Sequence, residues 1–437
     1  MTLTAVLLPG GGGDDDGPKG GGTSDAGSSG SGGGGGGGPG EGGRTGSGPR
    51  VVTAYGDVFR GGDHGRDGTR AAARPQGWKP WTADRPEGLD DQGDGCVLAA
   101  ATLVCRDGKG AAAAFDAASG RHRWTTRGFP GAEGNLTGLH TVAPEATADG
   151  RAVFVPSELG VTKVDVATGA ERWREPVVGT SGMLAMAYAK GVVYVAELRY
   201  GGFGPDDSAG TTVIRARSAA DGRQLWRSKE LPKTSRSLVV HGGRVFTALE
   251  KGAVVRLDAR TGDVERTASV PCGQLMLRDA DTVACWSDGR AGVRDLDPET
   301  LRTRRVLAPG VAPSGPRPVA GAAGVLVVAS RNPDQDAVVD HHLSGYDWRT
   351  GRRLWRYGAP TGLSTLALAD DRVLSTGDFE MRGLRLDGDV DTLRTKRVDR
   401  GDASGSKPGF AWFGQPLYAG GAVFTTVDGK VISGYAP

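Results

Sequence analysis

Two short stretches of the sequence carry side chains that can ligate metals. The first is Arg331–His342, RNPDQDAVVDHH, which ends in His341 and His342 and also holds three aspartates. Adjacent residues of an extended strand point to opposite faces of the sheet, so the two imidazoles chelate one ion poorly. We therefore expect a solvated loop between two strands. A metal site and a loop that contacts a ligand or partner are the alternatives.

The second stretch, Asp387–Asp391, reads DGDVD and opens like a calcium-binding loop. Such a loop needs glycine at its sixth position and a bidentate glutamate at its twelfth. Thr392 and Val398 occupy those two positions. The sequence therefore predicts no calcium at this loop and no metal site elsewhere.

The four cysteines fall into two local pairs. Cys96 and Cys105 flank CVLAAATLVC, and a two-residue turn at Ala100–Ala101 places them opposite each other at a non-hydrogen-bonded pair, where Cβ atoms come closest. Cys272 and Cys285 bracket a second hairpin-like stretch with a looser register. We predict two disulfides and hence an oxidising compartment outside the cytoplasm. Four buried free thiols are the alternative.

A second enlarged loop, Arg199–Gly210, reads RYGGFGPDDSAG. A glycine-rich loop without a following helix is weak support for a phosphate site, and we expect an ordinary insertion. The alternative is an interaction loop at the rim, with Tyr200 and Phe203 as contacts beside His341 and His342. The sequence contains no G-x-S-x-G elbow, Walker motif or kinase catalytic loop, so it predicts no catalytic residues.

The elements that must position these residues are repeats of one phrase. Ala114–Trp124 reads AFDAASGRHRW, in which an aspartate ends a strand, a glycine follows four residues later and a tryptophan four after that. The phrase returns as KVDVATGAERW, ARSAADGRQLW, GYDWRTGRRLW and, without the tryptophan, RLDARTGDVER. The residues that carry it are Asp116, Gly120, Trp124, Asp165, Gly169, Trp173, Gly222, Trp226, Asp258, Gly262, Asp347, Gly351 and Trp355.

Each part of the phrase has a structural role. The aspartate accepts hydrogen bonds from backbone N–H groups two or three residues on, and the glycine supplies a positive φ where the chain reverses. The indole can wedge between neighbouring sheets and bury roughly 150–250 Å². One unit cannot bury its apolar faces alone, so the copies must pack on one another.

The repeats predict an all-β, eight-bladed β-propeller over residues 77–437. The turn-opening residues number eight, and residues 78–437 provide 45 residues per unit, the size of a four-stranded blade. The last unit lacks its final strand, and Gly77–Thr82 supplies a spare one that would close the ring. Seven blades are the alternative, if the eroded unit at Asp297 or Asp387 is not separate. The turn-opening residues are Asp116, Asp165, Ser218, Asp258, Asp297, Asp347, Asp387 and Ala436.

The N-terminal part differs in composition from the repeats. Residues 1–50 are rich in Gly, Ser and Pro and cannot bury enough apolar surface to order, so we expect a disordered tether, followed by a transition segment at 51–76. Met1–Pro9 is apolar but too short to span a bilayer. It is either a short disordered terminus or the stub of a membrane segment whose start lies upstream. The formal net charge of +2 gives no electrostatic case for nucleic acid, and we expect a monomer.

The phrase resembles the quinoprotein, or PQQ-like, propeller repeat, A-x-D-x-x-T-G-x-x-x-W, across residues 78–437. The resemblance is strong at Asp116–Trp124, Asp165–Trp173 and Asp347–Trp355. One branch of this family is dehydrogenases that bind pyrroloquinoline quinone (PQQ) and Ca²⁺. The other branch is non-catalytic and includes an outer-membrane-protein assembly lipoprotein and the extracellular sensor domains of actinobacterial Ser/Thr kinases.

The resemblance implies the non-catalytic branch. The dehydrogenases carry adjacent cysteines at the quinone, which this chain lacks, and no convincing set of Ca²⁺ ligands is present. The sensor domains fit better, because they share the tether, a PQGWKPW-like opening strand and the early cysteine pair. The lipoprotein is less similar, because this chain has no N-terminal lipid-bearing cysteine.

We therefore expect a non-enzymatic propeller without a cofactor. It would lie outside the cytoplasm, secreted or membrane-anchored, and bind a protein or small ligand at one face of the ring. A dehydrogenase that uses PQQ and Ca²⁺ is one alternative. A sensor domain whose kinase part is missing from this chain is another.

Overall fold

The chain divides between Gly46 and Ser47, and every described residue belongs to the unit Ser47–Pro437. The expected tether at 1–50 lies outside the described residues, as does most of the segment 51–76. Within the described part no helix is long and apolar enough to cross a membrane. The computed structural model describes residues 51–53, 74–87, 89, 95–132, 143–177, 182–199, 210–250, 252–279, 282–286, 292–311, 319–320, 324–331, 341–358, 365–369, 372–377, 380–389, 394–397, 414, 416–427 and 429–436.

The described residues form eight antiparallel sheets, numbered here as blades 1 to 8 in chain order. Blade 1 contains β1 (Val51–Thr53), β3 (Cys96–Ala99), β4 (Thr102–Arg106), β5 (Ala112–Asp116) and β6 (His122–Thr125). Blade 2 contains β7 (Glu145–Ala146), β8 (Ala152–Ser157), β9 (Gly160–Asp165) and β10 (Glu171–Pro176). Blade 3 contains β11 (Met183–Ala189), β12 (Val192–Arg199), β13 (Thr211–Ser218) and β14 (Gln224–Arg227). Blade 4 contains β15 (Ser235–His241), β16 (Arg244–Leu249), β17 (Ala253–Asp258) and β18 (Val264–Ser269).

The second half of the chain repeats this pattern. Blade 5 contains β19 (Gln274–Asp279), β20 (Thr282–Trp286), β21 (Val293–Leu296) and β22 (Thr303–Leu307). Blade 6 contains β23 (Val319–Ala320), β24 (Val325–Arg331), β25 (His341–Asp347) and β26 (Arg353–Gly358). Blade 7 contains β27 (Thr365–Ala369), β28 (Arg372–Gly377), β29 (Glu380–Arg385) and β30 (Arg394–Arg397). Blade 8 contains β31 (Leu417–Ala419), β32 (Ala422–Val427), β33 (Lys430–Tyr435) and β2 (Trp81–Asp84).

Burial distinguishes the inner strands of a blade from its outer strand. All six residues of β8 are buried, whereas β6 and β14 bury one residue each, the tryptophan. An inner strand packs against neighbouring blades on both faces, which explains the continuous apolar runs of β-branched residues in the sequence. The second strands of six blades contain such runs in the sequence: Val153–Val155, Val192–Ala196, Val245–Leu249, Val325–Ala329, Val373–Ser375 and Val423–Val427.

The first strands of neighbouring blades lie side by side, so they surround the centre of the ring. β11 contacts β15, β27 contacts β31, and β3 contacts both β7 and β31. The contact between β3 and β31 joins blade 1 to blade 8 and completes the circle. The eight-bladed prediction is therefore confirmed over the seven-bladed one, and the eroded units at Asp297 and Asp387 form blades 5 and 7.

The last blade takes its outer strand from the other end of the chain. β2 pairs antiparallel with β33, from Trp81 opposite Ser433 to Asp84 opposite Lys430. The sequence predicts this strand at Gly77–Thr82, but it begins at Trp81. A turn precedes it, closed by a hydrogen bond from the Trp78 N–H to the Pro75 carbonyl (3.1 Å).

The strand β1 is not predicted by the sequence. It lies in the expected transition segment and adds a fifth strand to blade 1, beside β3. It also contacts β7 and β31, the first strands of the two neighbouring blades. The three residues of β1 therefore lie at the centre of the ring.

The hydrophobic core lies between blades. One cluster joins Val97 and Val104 of blade 1 to Val153 and Val164 of blade 2, with Trp124 among them. Each blade thus buries its apolar faces against its two neighbours, as expected for units that cannot fold alone.

Candidate functional site

The order of the strands places the connections of the chain on two faces. The turns between strands one and two and between strands three and four of a blade lie on one face, defined here as the turn face. The loops between strands two and three, and the connections between blades, lie on the opposite loop face. The repeated Asp–Gly turns are on the turn face. The strand ends that border the two enlarged loops are on the loop face: those of β12 and β13, and those of β24 and β25.

The repeated aspartates hold their own turns. The Asp116 Oδ1 accepts hydrogen bonds from the N–H groups of Ala118 (3.2 Å) and Ser119 (3.0 Å) and from the Ser119 hydroxyl (2.9 Å). Its Oδ2 accepts one from Arg123 (2.6 Å), seven residues on. The side chains of Asp165, Asp258, Asp297 and Asp347 accept the equivalent backbone N–H bonds.

The hydrogen bonds to Asp165 and Asp297 keep both carboxylates ionised. The bond from Arg172 lowers the pKa of Asp165 to about 2, against a smaller opposing effect of burial. The bond from the Thr300 N–H, followed by that from Arg304, lowers the pKa of Asp297 to about 2. A general acid or base needs a pKa near the working pH, so these carboxylates are unsuited to that role.

The tryptophans of the phrase join each blade to the next. Each indole Nε1 donates to a backbone carbonyl in the turn of the following blade, at 2.7–3.2 Å. Each indole also covers the glycine of that turn, so closely that a Cβ on Gly169 would lie 2.7 Å from the Trp124 ring. We define this contact as the tryptophan seam. The pairs of donor and carbonyl are Trp81 and Ala117, Trp124 and Val166, Trp173 and Ala219, Trp226 and Ala259, and Trp355 and Leu386.

The seam between blades 4 and 5 is made by an arginine. Arg266 stands at the tryptophan position of blade 4 and is exposed, whereas Arg256, its partner on β17, is buried. The Arg256 Nη1 donates to the Pro298 carbonyl (2.9 Å), one residue after the turn-opening aspartate. The indoles use the carbonyl at the same position in the turns of blades 1 to 4. Leu301 replaces the turn glycine, with φ +57°. Sequence reasoning did not identify Arg256. The signal available in the sequence was an arginine on the strand that pairs with position 266, where the repeat lacks its tryptophan.

The contact between blades 5 and 6 also lacks an indole at the tryptophan position. Arg305 stands at the tryptophan position of blade 5 and pairs with Asp295 across the strands. Its Nε lies 3.2 Å from the Asp295 Oδ2. Gly351, the turn glycine of blade 6, meets backbone and leucine atoms of β22 instead of an indole.

The structure forms the disulfide between Cys96 and Cys105, which are paired directly across β3 and β4 with a Cα–Cα distance of 4.1 Å. The second predicted disulfide is not formed, and Cys272 and Cys285 are buried thiols. Cys285 lies opposite Leu275, three residues beyond Cys272, so these two cysteines are not a directly opposed pair as Cys96 and Cys105 are. Burial, reinforced by the neighbouring Cys285, raises the pKa of Cys272 well above its usual range, so the thiol is a poor nucleophile.

The four rim contacts considered from the sequence are two aromatic residues and two histidines. Tyr200 and Phe203 lie outside the described residues, between Arg199 and Gly210. His341 and His342 begin β25, where they are paired with Arg331 and Ser330 of β24.

The stretch at Asp387 is on the turn face and forms a turn. The Asp387 Oδ1 accepts the Asp389 N–H (3.1 Å), and Arg385 lies 2.9 Å from its Oδ2. Among the described residues, no three His, Cys, Asp or Glu side chains are grouped to hold a metal ion.

Solved structures share this fold at low sequence identity. BamB from Moraxella catarrhalis is 14% identical, with a TM-score of 0.53, over 81% of this chain and 95% of that chain. A quinohemoprotein alcohol dehydrogenase from Pseudomonas putida is 10% identical, with a TM-score of 0.54, over 84% of this chain and 77% of that chain. No curated protein sequence matches the chain significantly.

A family model extends over most of the propeller. The model described as outer membrane protein assembly factor BamB matches residues 43–206 and 209–425. It confirms the PQQ-like character of the repeat that the aspartate, glycine and tryptophan positions indicate. The chain belongs to the family of the outer membrane protein assembly factor BamB.

Proposed function

We propose that this protein is a non-enzymatic binding platform that works outside the cytoplasm. One observation carries the proposal: the aspartates and tryptophans of the repeat, which could take part in chemistry, already make the hydrogen bonds that hold the turns and join the blades. The carboxylates of Asp116 and Asp165 accept hydrogen bonds from their own turns and from an arginine, and each indole of the tryptophan seam donates a hydrogen bond to a backbone carbonyl. What varies from blade to blade is the length of the loops on the loop face.

The family description supports a protein partner, since it names an assembly factor. The Cys96–Cys105 disulfide supports an oxidising compartment, where such bonds persist. On this basis the ring binds a protein or small ligand at its loop face. As a sensor domain, it would pass on that binding through its N-terminal segment.

A titration with PQQ and Ca²⁺ tests the non-enzymatic part. We expect the full chain to keep its melting temperature and to gain no bound quinone absorbance. A ligand at 100 times its Kd stabilises a protein by about 2.7 kcal/mol, which would raise the melting temperature by several degrees. Such a rise, with bound quinone, would show that the chain is a quinoprotein.

Shortening the enlarged loops tests the binding face. Arg199 pairs with Thr211, and Arg331 with His341, so an Asn-Gly turn can replace the residues between each pair. We expect these chains to fold and to lose crosslinks to the partner in intact cells. A matched control replaces Gly242-Gly243 on the turn face by Asn-Gly. Equal crosslinking by all chains would contradict the assignment to the loop face.

Thiol trapping in intact cells tests the location. In an oxidising compartment Cys96 and Cys105 remain in their disulfide and do not react with a maleimide reagent until a reductant is added. The thiols of Cys272 and Cys285 react as soon as the chain is denatured. Four reactive thiols in freshly denatured samples would place the protein in a reducing compartment.

A further inference from the structure

Blade 1 has a strand that the architecture does not require. Among the described residues, the other seven blades contain four strands each, and in those the first strand is the inner edge of the sheet. In blade 1 the short strand β1 continues the sheet into the centre of the ring, beside the first strands of blades 8 and 2. The inner edge of β3 is therefore covered by a segment of the same chain.

The register shows how β1 is held. Cys96 and Cys105 are a close pair, with Cα atoms 4.1 Å apart, which is the spacing of a non-hydrogen-bonded pair. Hydrogen-bonded and non-hydrogen-bonded pairs alternate, so Val97 and Ala99 bond to β4, and Leu98 directs its N–H and C=O towards β1. Leu98 lies opposite Val52. The Val52–Leu98 pair thus exchanges the two ladder hydrogen bonds that β1 has with the blade.

The edge beneath β1 is preformed. β3 is paired along its whole length with β4, and the disulfide between Cys96 and Cys105 fastens the two strands. Its four residues are almost fully buried. Loss of β1 would leave the backbone groups of Leu98 unpaired at the centre of the ring, in a strand that keeps its shape. Such an edge pairs readily with another extended segment.

We propose that the inner edge of blade 1, Cys96–Ala99, is a peptide-binding site that takes an extended segment of a partner protein by β-pairing. Val51–Thr53 occupies this site in cis and must leave before the partner enters. The residues of β1, Val-Val-Thr, are β-branched, and they show the kind of segment that the edge accepts. This inference rests on the proposed binding function, and it adds the site and the chemical class of the ligand.

The first test removes the cis segment from the edge in the full chain. Val52→Pro eliminates the N–H that bonds to Leu98, whereas the matched control Val51→Pro alters a non-hydrogen-bonded position. We expect the Leu98 amide to exchange with deuterium at least tenfold faster in Val52→Pro than in the parent or the control. The amides of Val97 and Ala99, bonded to β4, should keep their rates and report that blade 1 is folded.

A second variant covers the case in which Val52→Pro does not fold. Val52→Gly keeps the N–H but weakens the strand, so it should accelerate Leu98 exchange in the same direction by a smaller factor. Unchanged Leu98 exchange in both variants would overturn the occupancy of the edge by β1.

The second test measures binding at the vacated edge. The probe is a fluorescein-labelled synthetic peptide of residues 49–55, PRVVTAY, and the readout is fluorescence anisotropy. We expect at least tenfold tighter binding to the Val52→Pro chain than to the parent or to Val51→Pro. Equal affinities, or no binding to Val52→Pro once Leu98 exchanges freely, would overturn the site.

These tests are separable from those of the proposed function. The loop-shortened chains keep both Val51–Thr53 and Cys96–Ala99 unchanged. Failure of the loop experiment would therefore remove the loop face as the binding surface, and the exchange and peptide measurements would still decide the edge of blade 1.

Discussion

At the scale of single residues, the repeat works through contacts that cross from one blade to the next. Sequence reasoning assigned the aspartate to the turn, the glycine to a positive φ and the indole to the space between sheets, because each residue type has one property that suits it to that place. It could not assign the arginine seven residues after the aspartate, such as Arg123 or Arg172, since an exposed cation on an outer strand gives no pattern.

The contact of glycine with indole can be isolated by two alanine substitutions. Gly169 and Gly191 have nearly the same φ, +74° and +75°, but a Cβ on Gly169 meets Trp124 whereas one on Gly191 meets open space. We expect Gly191→Ala to cost about 1 kcal/mol for the left-handed backbone, and Gly169→Ala roughly 2–4 kcal/mol because overpacking is added. Urea unfolding measures both, and equal losses would show that the seam tolerates a methyl group.

The charge of Asp165 makes the stability of the fold depend on pH. The folded pKa of Asp165, about 2, lies below its ordinary 3.8, so its ionised form stabilises the fold above pH 4, and this contribution is lost between pH 4 and pH 2. Asp165→Asn keeps a turn-forming side chain but no charge. We expect it to lower stability by about 1 kcal/mol at pH 7, and by much less near pH 2, where half of the Asp165 carboxyl is protonated.

Arg172→Gln provides the complementary variant. It removes the partner that lowers the pKa of Asp165, so acid unfolding should begin at a higher pH than in the parent. Thermal unfolding across pH 2–7 measures both variants. A constant difference between Asp165→Asn and the parent across this range would rule out the charge as the cause.

At the scale of elements, blades 4 and 5 show that one seam can be built in two ways. Arg256 reaches the Pro298 carbonyl from β17, whereas the indoles reach the equivalent group from the outer strand. Leu301 fills the place of the turn glycine and is fully buried, so an indole at position 266 has no room. The arginine and the leucine therefore belong together, and replacing either alone disrupts the seam.

A set of variants tests this coupling. Arg256→Ala should cost roughly 2–3 kcal/mol, because a buried cation and its hydrogen bonds are lost while Glu265 and Glu299 can rehydrate. Adding Arg266→Trp should not restore stability. Adding Leu301→Gly as well rebuilds the tryptophan seam, with alanine opposite the indole as at Ala114 and Ala216, and should recover at least half of the loss.

Urea unfolding measures the whole set, with Arg266→Trp alone as the control. If the double variant is as stable as the triple one, Leu301 does not exclude the indole, and the two seams are not alternatives.

At the scale of the whole molecule, the sequence predicts the blade count well, because the phrase recurs at a fixed spacing and each copy marks one strand pair. Eroded copies at Asp297 and Asp387 still form blades, since the second strands of those blades keep buried apolar residues at Val283–Trp286 and Val373–Leu374. Two features escape such reasoning. The strand β1 is held by backbone pairing at a distance of about 45 residues, and the thiols of Cys272 and Cys285 depend on a register that no local pattern sets.

The junction of the two chain ends can be tested at Trp81. Its indole donates to the Ala117 carbonyl (3.0 Å) and lies near Phe115 and Phe424, so it joins β2 to blades 1 and 8. We expect Trp81→Ala to cost roughly 3 kcal/mol, the lower end for a large aromatic, since the ring is half-buried.

Trp355→Ala is the matched control, because it removes the same seam contact between blades 6 and 7 without involving the chain ends. Amide exchange of β33 should rise in Trp81→Ala only. An equal rise in both variants would mean that β33 does not depend on β2.

The pairing of β2 with β33 also sets an order of events during synthesis. Trp81–Asp84 leaves the ribosome early, and Lys430–Tyr435 follows about 350 residues later. At roughly 5–20 residues per second, this interval lasts roughly 20–70 s. Throughout that time the nascent chain carries a strand whose partner in the finished blade does not yet exist, so blade 8 closes only after β33 has been translated.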